Sequence, residues 1–183
     1  MRADARRNRQ LLLGAAIELI LEVGGEPSRD AVAQRAGVGI ATLYRHFPDQ
    51  QSLLRAVVLD VLDRTIEHGN VALTVSATGG EALRRYLHAA IDNGLGVVNI
   101  VYEVLDRVHW PDRRTAASDL MDRLVAAARR NGAIGKDVGP TDITFAAIRF
   151  CRPLGIGLNA AEERSIAHQQ LNTFLDGLMP RSG

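Results

Sequence analysis

The tightest constraint on this chain lies in residues 28–47, SRDAVAQRAGVGIATLYRHF. The stretch reads as two short helices about a tight turn. Ser28 suits the N-cap of the first helix, and Asp30 falls in its positive first turn. Val32, Ala33 and Ala36 follow at i, i+1 and i+4, which leaves one narrow apolar stripe facing inward. Gly37 supplies the left-handed residue that a side chain resists. A second helix is expected over residues 40–47. Leu43 and Phe47, four apart, point to the core, and Ile40, Ala41, Thr42, Tyr44, Arg45 and His46 are left on the other faces.

A short helix held steeply to its predecessor can enter the DNA major groove with its N-terminal end leading. Ala41 permits close approach, and Thr42 carries a hydroxyl and a methyl that suit a base edge or a thymine methyl. Tyr44, Arg45 and His46 fall where phosphates flank the groove, and each can donate a hydrogen bond. The candidate DNA-contacting set is Arg6, Arg7, Ser28, Gly39, Ile40, Ala41, Thr42, Tyr44, Arg45 and His46. An ordinary helical hairpin has the same periodicity, so pattern alone leaves both readings open.

AGV followed by ATLYRHF closely resembles the N-terminal domain of the TetR family of transcriptional regulators. The matching residues are Ala33, Ala36, Gly37, Val38, Thr42, Leu43, Tyr44, His46 and Phe47. The resemblance implies an all-α, homodimeric, ligand-responsive protein that binds double-stranded operator DNA, usually as a repressor. Motif identity covers roughly the first third, and beyond it only the helical layout is similar. The implied organisation is a helix-turn-helix domain over residues 1–47 and a ligand-binding and dimerisation domain over 48–183. A helix over 49–68 bridges the two. In that family the bridging helix often begins with a lysine that meets a phosphate. Here Gln50 and Gln51 stand in that region, and a neutral amide donates a hydrogen bond but releases no counterion.

Length and charge agree with this organisation without dictating it. The 183 residues suffice for a three-helix domain plus a larger helical one, and 46% hydrophobic residues provide a core. The formal net charge is only +1, so the balance alone argues for no polyanionic partner. The local cluster of Arg2, Arg6, Arg7 and Arg9 against Asp4 is the better pointer. A mobile basic arm is expected over residues 1–8, either without a role or touching phosphates or the minor groove. The single cysteine, Cys151, precludes an intrachain disulfide and agrees with a cytoplasmic setting. Residues 11–17 do not read as a signal peptide, because Glu18 and Glu22 interrupt a pattern that continues with helical period. No uncharged run approaches the roughly 18 residues of a membrane span.

The remaining chain reads as helices and short breaks, an all-α bundle. The first helix is expected over residues 6–23, stopped by Gly24-Gly25. Pro48 breaks the recognition helix and Asp49 caps the bridging helix, whose end is marked by His68 and Gly69. VALTVSATGG, residues 71–80, reads as a loop. Further helices are expected over 81–93, 96–109 and 112–131, the last ended by Gly132. Pro140 then fits a first helical position, and Asn159 with Glu162 resembles a capping box for the final helix.

The last two helices are the candidate dimer interface through Ala147, Phe150, Leu171, Phe174, Leu175 and Leu178. Periodicity equally suits outer helices of a monomeric bundle. Two recognition helices reaching half-sites roughly 34–36 Å apart favour the dimer, as does the resemblance. A small-molecule cavity among the middle helices is implied by the resemblance alone. Its candidate lining is Tyr86, Asn99, Tyr102, Glu103, Trp110, Met121 and Phe145, and plain core packing explains the large residues as well.

An enzyme is not expected. His88, His109, His168 and Cys151 are scattered, and no HExxH, CxxC, phosphate-cradling glycine loop or nucleophile elbow is present. Asp106 and His109 have a spacing that ligates metals, but helix ends carry such pairs for electrostatic reasons. No cofactor and no metal is expected. A helical dimer that binds small molecules and keeps an idle motif is the competing reading, and the intact Thr42, Tyr44 and His46 count against it.

Overall fold

The computed structural model describes residues 2–102, 105 and 111–178. Every regular element among them is helical: α1 (Arg2–Val23), α2 (Arg29–Ala36), α3 (Ile40–His46), α4 (Gln50–Val75), α5 (Gly79–Asp92), α6 (Gly96–Val101), α7 (Pro111–Arg130), α8 (Pro140–Cys151) and α9 (Ala160–Gly177). The all-α expectation therefore holds.

Several ends follow local chemistry. Gly37 adopts φ 63°, its N–H reaches Gln34 O and the Val38 N–H reaches Ala33 O, a Schellman closure of α2. The same paired bonds close α5 at Gly94 and α7 at Gly132. Asp49 and Ser52 form a reciprocal capping box at the start of α4, as do Asn159 and Glu162 at α9.

Three expectations need correction. Residues 2–8 are the first turns of α1, not an unstructured arm. Alanine and arginine are strong helix formers, and Asp4 in the first turn favours the positive helix end. The bridging helix does not stop at Gly69 but runs 26 residues to Val75, about 39 Å. Gly69 sits inside it for packing: a Cβ there would lie 2.5 Å from Leu120 Cδ2 and 2.7 Å from Tyr86 Cδ2. The loop expected over 71–80 consequently shrinks to residues 76–78, where Thr78 caps α5 by accepting the Glu81 N–H. Helix α6 is described to Val101, and most of the expected continuation toward His109 lies outside the described residues.

Two apolar cores result. The first joins α1, α2, α3 and the N-terminal half of α4 through Leu12, Leu13, Ile20, Val32, Leu43, Phe47, Leu54 and Val58. It does not end at residue 47, because Val97 and Val101 of α6 complete it. The second joins the C-terminal half of α4 to α5, α7, α8 and α9 through Leu83, Leu87, Leu120, Leu124, Ile143 and Leu171. Helix α4 contributes to both, so the orientation of α3 is fixed relative to the second core through one unbroken rod.

Candidate nucleic-acid interface

Helix α3 is held from below by two side chains. Leu43 is fully buried and Phe47 nearly so, and both belong to the first core. The opposite side is open: Gly39, Ile40, Ala41, Tyr44 and Arg45 are exposed, while Thr42 and His46 are half-buried. Six members of the candidate set therefore share one short rigid rod, with Gly39 as its N-cap. Ser28 is exposed too, but its hydroxyl is occupied in accepting the Ala31 N–H at 3.1 Å. Arg6 and Arg7 stand on the exposed side of α1.

The hydrogen bonds alter some roles. Arg45 Nη2 donates to Thr42 Oγ1 at 2.7 Å, one turn back. The pair presents a joint polar edge, with the threonine hydroxyl oriented by the guanidinium rather than free to rotate. Gln50 Nε2 donates to Pro27 O at 3.0 Å, so its amide ties the start of α4 to the connector before α2.

Two arginines that sequence reasoning passed over position the interface. Arg29 lies over the Tyr44 ring, 4.6 Å from its centroid, and donates from Nη1 to Pro48 O at 2.9 Å. It thus braces the exposed tyrosine from α2 and ties the exit of α3. Arg35 grips Glu22 through two bonds of 2.9 and 2.8 Å and touches Glu18 at 3.4 Å, which locks α2 to α1. The Arg35 guanidinium holds the Glu22 carboxyl below its usual value, and the carboxylates raise Arg35 in turn. Because Glu22 titrates lower when folded, the pair adds stability at neutral pH that fades as pH falls through the carboxylate range. No sequence signal marks Arg29 or Arg35, since their partners are chosen by the crossing of helices.

Residues 12–57 match the family model described as bacterial regulatory proteins, tetR family. That span covers the second half of α1, all of α2 and α3, and the first turns of α4. Over 69 residues the chain is 42% identical to an HTH-type transcriptional regulator of Staphylococcus aureus, a match that spans 37% of this chain and 37% of that protein. The chain thus covers little more than a third of the length of the curated relatives it matches. Similarity of fold extends much further. A TetR transcription regulatory protein from Mycobacterium vanbaalenii superposes with TM-score 0.70 at 29% identity, over 98% of this chain and 99% of that one. A TetR transcriptional regulator from Streptomyces coelicolor gives TM-score 0.68 at 26% identity, over 95% and 99%.

The N-terminal segment matches the TetR family in sequence, and the described fold superposes on TetR regulators. Its family-matching residues Leu43 and Phe47 are the two that anchor α3, and Tyr44 and His46 are among those it presents. Beyond the helix-turn-helix, the described candidates fall in several different surroundings.

Of the supposed cavity residues, Tyr86 and Met121 are packed in the second core. Burial pushes the Tyr86 phenol up to about 12. Tyr102 and Phe145 are 64% and 60% exposed and are not in the wall of the cavity beside α1. Glu103 and Trp110 lie outside the described residues, as do Asp106 and His109. Among the described members of that set, Asn99 lines a cavity. That cavity, about 580 Å³, opens between the last turn of α1, α6, the end of α8, residues 153–158 and the start of α9. Leu21, Glu22, Asn99, Ile100, Cys151 and Leu158 are among its walls. The apolar surroundings push the Cys151 thiol up to about 12. Phe150, expected at a subunit interface, also lines it.

The expected interface residues also pack within the subunit. Ala147, Leu171 and Leu175 are buried in the subunit's own second core, and Phe150, Phe174 and Leu178 are half-buried against it. Phe150 and Phe174 meet at 5.4 Å between ring centroids. The apolar side chains left exposed near α8 are Phe145, Leu154 and Ile156. Inward stripes and outward patches share one helix, and periodicity cannot assign either to a partner. Among the described residues no helix is long and apolar enough to cross a membrane, and no group of three or more His, Cys, Asp or Glu could hold a metal.

Proposed function

We propose that the chain is a ligand-responsive transcriptional regulator that binds operator DNA as a homodimer and acts as a repressor in the cytoplasm. The observation that carries this reading is α3 itself, anchored by Leu43 and Phe47 and offering Ala41, Thr42, Tyr44, Arg45 and His46 outward. Ala41 and the Thr42–Arg45 edge face the bases, while Tyr44 and His46 meet phosphates. The dimer pairs through the α8–α9 region, with Phe145 and Ile156 on the outward side.

The cavity against α1 is the effector site. Its volume falls in the range that small organic ligands fill. Glu22 stands in its wall and is gripped by Arg35 of α2. A ligand that displaces the last turn of α1 therefore moves the helix-turn-helix directly, besides any tilt of α4. Two states of different recognition-helix spacing follow, and the effector shifts them only by its difference in affinity.

Selection of bound fragments from random duplex DNA tests the reading. A two-fold symmetric consensus with half-sites about one helical turn apart is the expected result. Absence of any enriched sequence, with a protein that sediments as a monomer, rules it out.

A further inference from the structure

His88 and His168 are separated by 80 residues in sequence, yet α5 and α9 bring them edge to edge. Their Nδ1 atoms lie 2.7 Å apart. The ring planes differ by 28° and the centroids are 4.9 Å apart, close to the N···N distance plus two ring radii. The rings therefore meet along the line of their nitrogens.

The outer nitrogens are both fixed as donors. His168 Nε2 lies 2.9 Å from Asp92 Oδ1, an acceptor. His88 Nε2 lies 3.0 Å from Asn172 Oδ1. That atom is an oxygen and not the amide nitrogen, because Arg84 Nη1, which can only donate, points at it from 2.7 Å. With a proton on each Nε2, a neutral imidazole has a bare lone pair on Nδ1. Two such lone pairs at 2.7 Å repel unless a cation sits between them. Arg84 does not supply the charge, since its second nitrogen is taken by Asp176 at 2.6 Å. Asp92 is left as the anion beside the pair.

We propose that His88 and His168 form a two-imidazole site for a divalent transition-metal ion of the zinc class, bound through both Nδ1 atoms. Imidazole is the ligand that zinc, copper and nickel favour. Ligating histidines characteristically donate their other N–H to a carboxylate or carbonyl oxygen, the role Asp92 and Asn172 fill here. At the present separation the gap is wide enough for a shared proton and too narrow for the ion. Any proton there leaves to solvent as the ion enters. Zn–N bonds of about 2.0–2.1 Å place two tetrahedral ligands roughly 3.4 Å apart, so the rings must part by about 0.7 Å and swing until both Nδ1 lone pairs point at the ion. The His168 side chain is 28% exposed, which gives it room and gives water access to the remaining coordination positions. The ion would clamp α9 to α5, independently of whether the chain binds DNA.

The test is titration of the tag-free full-length protein with Zn²⁺ by calorimetry and with Co²⁺ by visible absorption. One ion per chain is expected, with an observed heat that varies with buffer ionisation enthalpy in proportion to the protons released. H88Q and H168Q should each weaken binding by about tenfold or more, and D92N by about tenfold. H68Q, on an imidazole that pairs instead with Asn93, should leave it unchanged. Circular dichroism verifies that each variant is folded. The proposal is overturned if the wild-type protein takes up no ion at millimolar concentration, if binding survives in the double variant H88Q/H168Q, or if only one of the two single variants has an effect.

Discussion

Tyr44 shows how much of an exposed side chain's role is set by what stands behind it. The ring faces solvent on one side and the Arg29 guanidinium on the other. A cation over an aromatic face at an exposed site is worth about 0.5–1 kcal/mol. Arg29→Ala should therefore lower the thermal midpoint slightly while weakening binding to all duplexes alike, measured by fluorescence anisotropy at fixed salt. Tyr44→Phe keeps the stacking and removes the hydroxyl, so it should weaken DNA binding with no loss of stability. Equal losses of stability in both variants would assign Tyr44 to the fold instead of the interface. At this scale the sequence was partly legible. The identities of Leu43 and Phe47 as anchors follow from a four-residue spacing, and both are buried. Arg29 over Tyr44, and His88 against His168, depend on the crossing of separate helices, which no spacing along the chain encodes.

Helices were legible where their ends carry chemistry and illegible where a residue has two possible reasons. Ser28, Asp49 and Asn159 all cap as expected, because a side-chain acceptor at an N-terminus has one use. Glycine has several. Gly37, Gly94 and Gly132 close helices with positive φ, whereas Gly69 sits within α4 to admit Tyr86 and Leu120. Gly79 is a sharper case: a Cβ there would lie 2.1 Å from Ala127 C and 2.2 Å from Ala127 O, in the backbone of α7. Backbone cannot rotate away as a side chain can. Gly79→Ala should destabilise by about 1–3 kcal/mol, as overpacking does, despite alanine's better helix propensity. Gly14, on the exposed side of α1 with nothing within 4 Å of its would-be Cβ, is the control. Gly14→Ala should stabilise by about 1 kcal/mol. Urea titrations of the two variants check both signs.

For the whole molecule, the proposed association rests on outward residues rather than on the periodic stripes. Leu171 is 1% exposed inside its own subunit, so Leu171→Glu tests folding. Phe145→Glu, at a side chain 60% exposed, is the informative change. It should shift sedimentation from dimer toward monomer and leave the monomer's helical content intact. If the dimer persists undiminished, α8 does not form the interface. The cavity proposed for a ligand was the least legible feature, since among the described residues expected there only Asn99 lines it. A cavity is made by what packing leaves unfilled, and aromatic size says nothing about that.

Val97 and Val101 have a wider consequence. They belong to a helix far along the chain, yet they plug the bottom of the N-terminal core. A gene fragment cut after α4 would carry every residue of the family-matching segment and still leave an apolar hole under α1. Such a fragment should be a poor autonomous folder, and domain exchange with other regulators should be grafted at a boundary that brings this plug along.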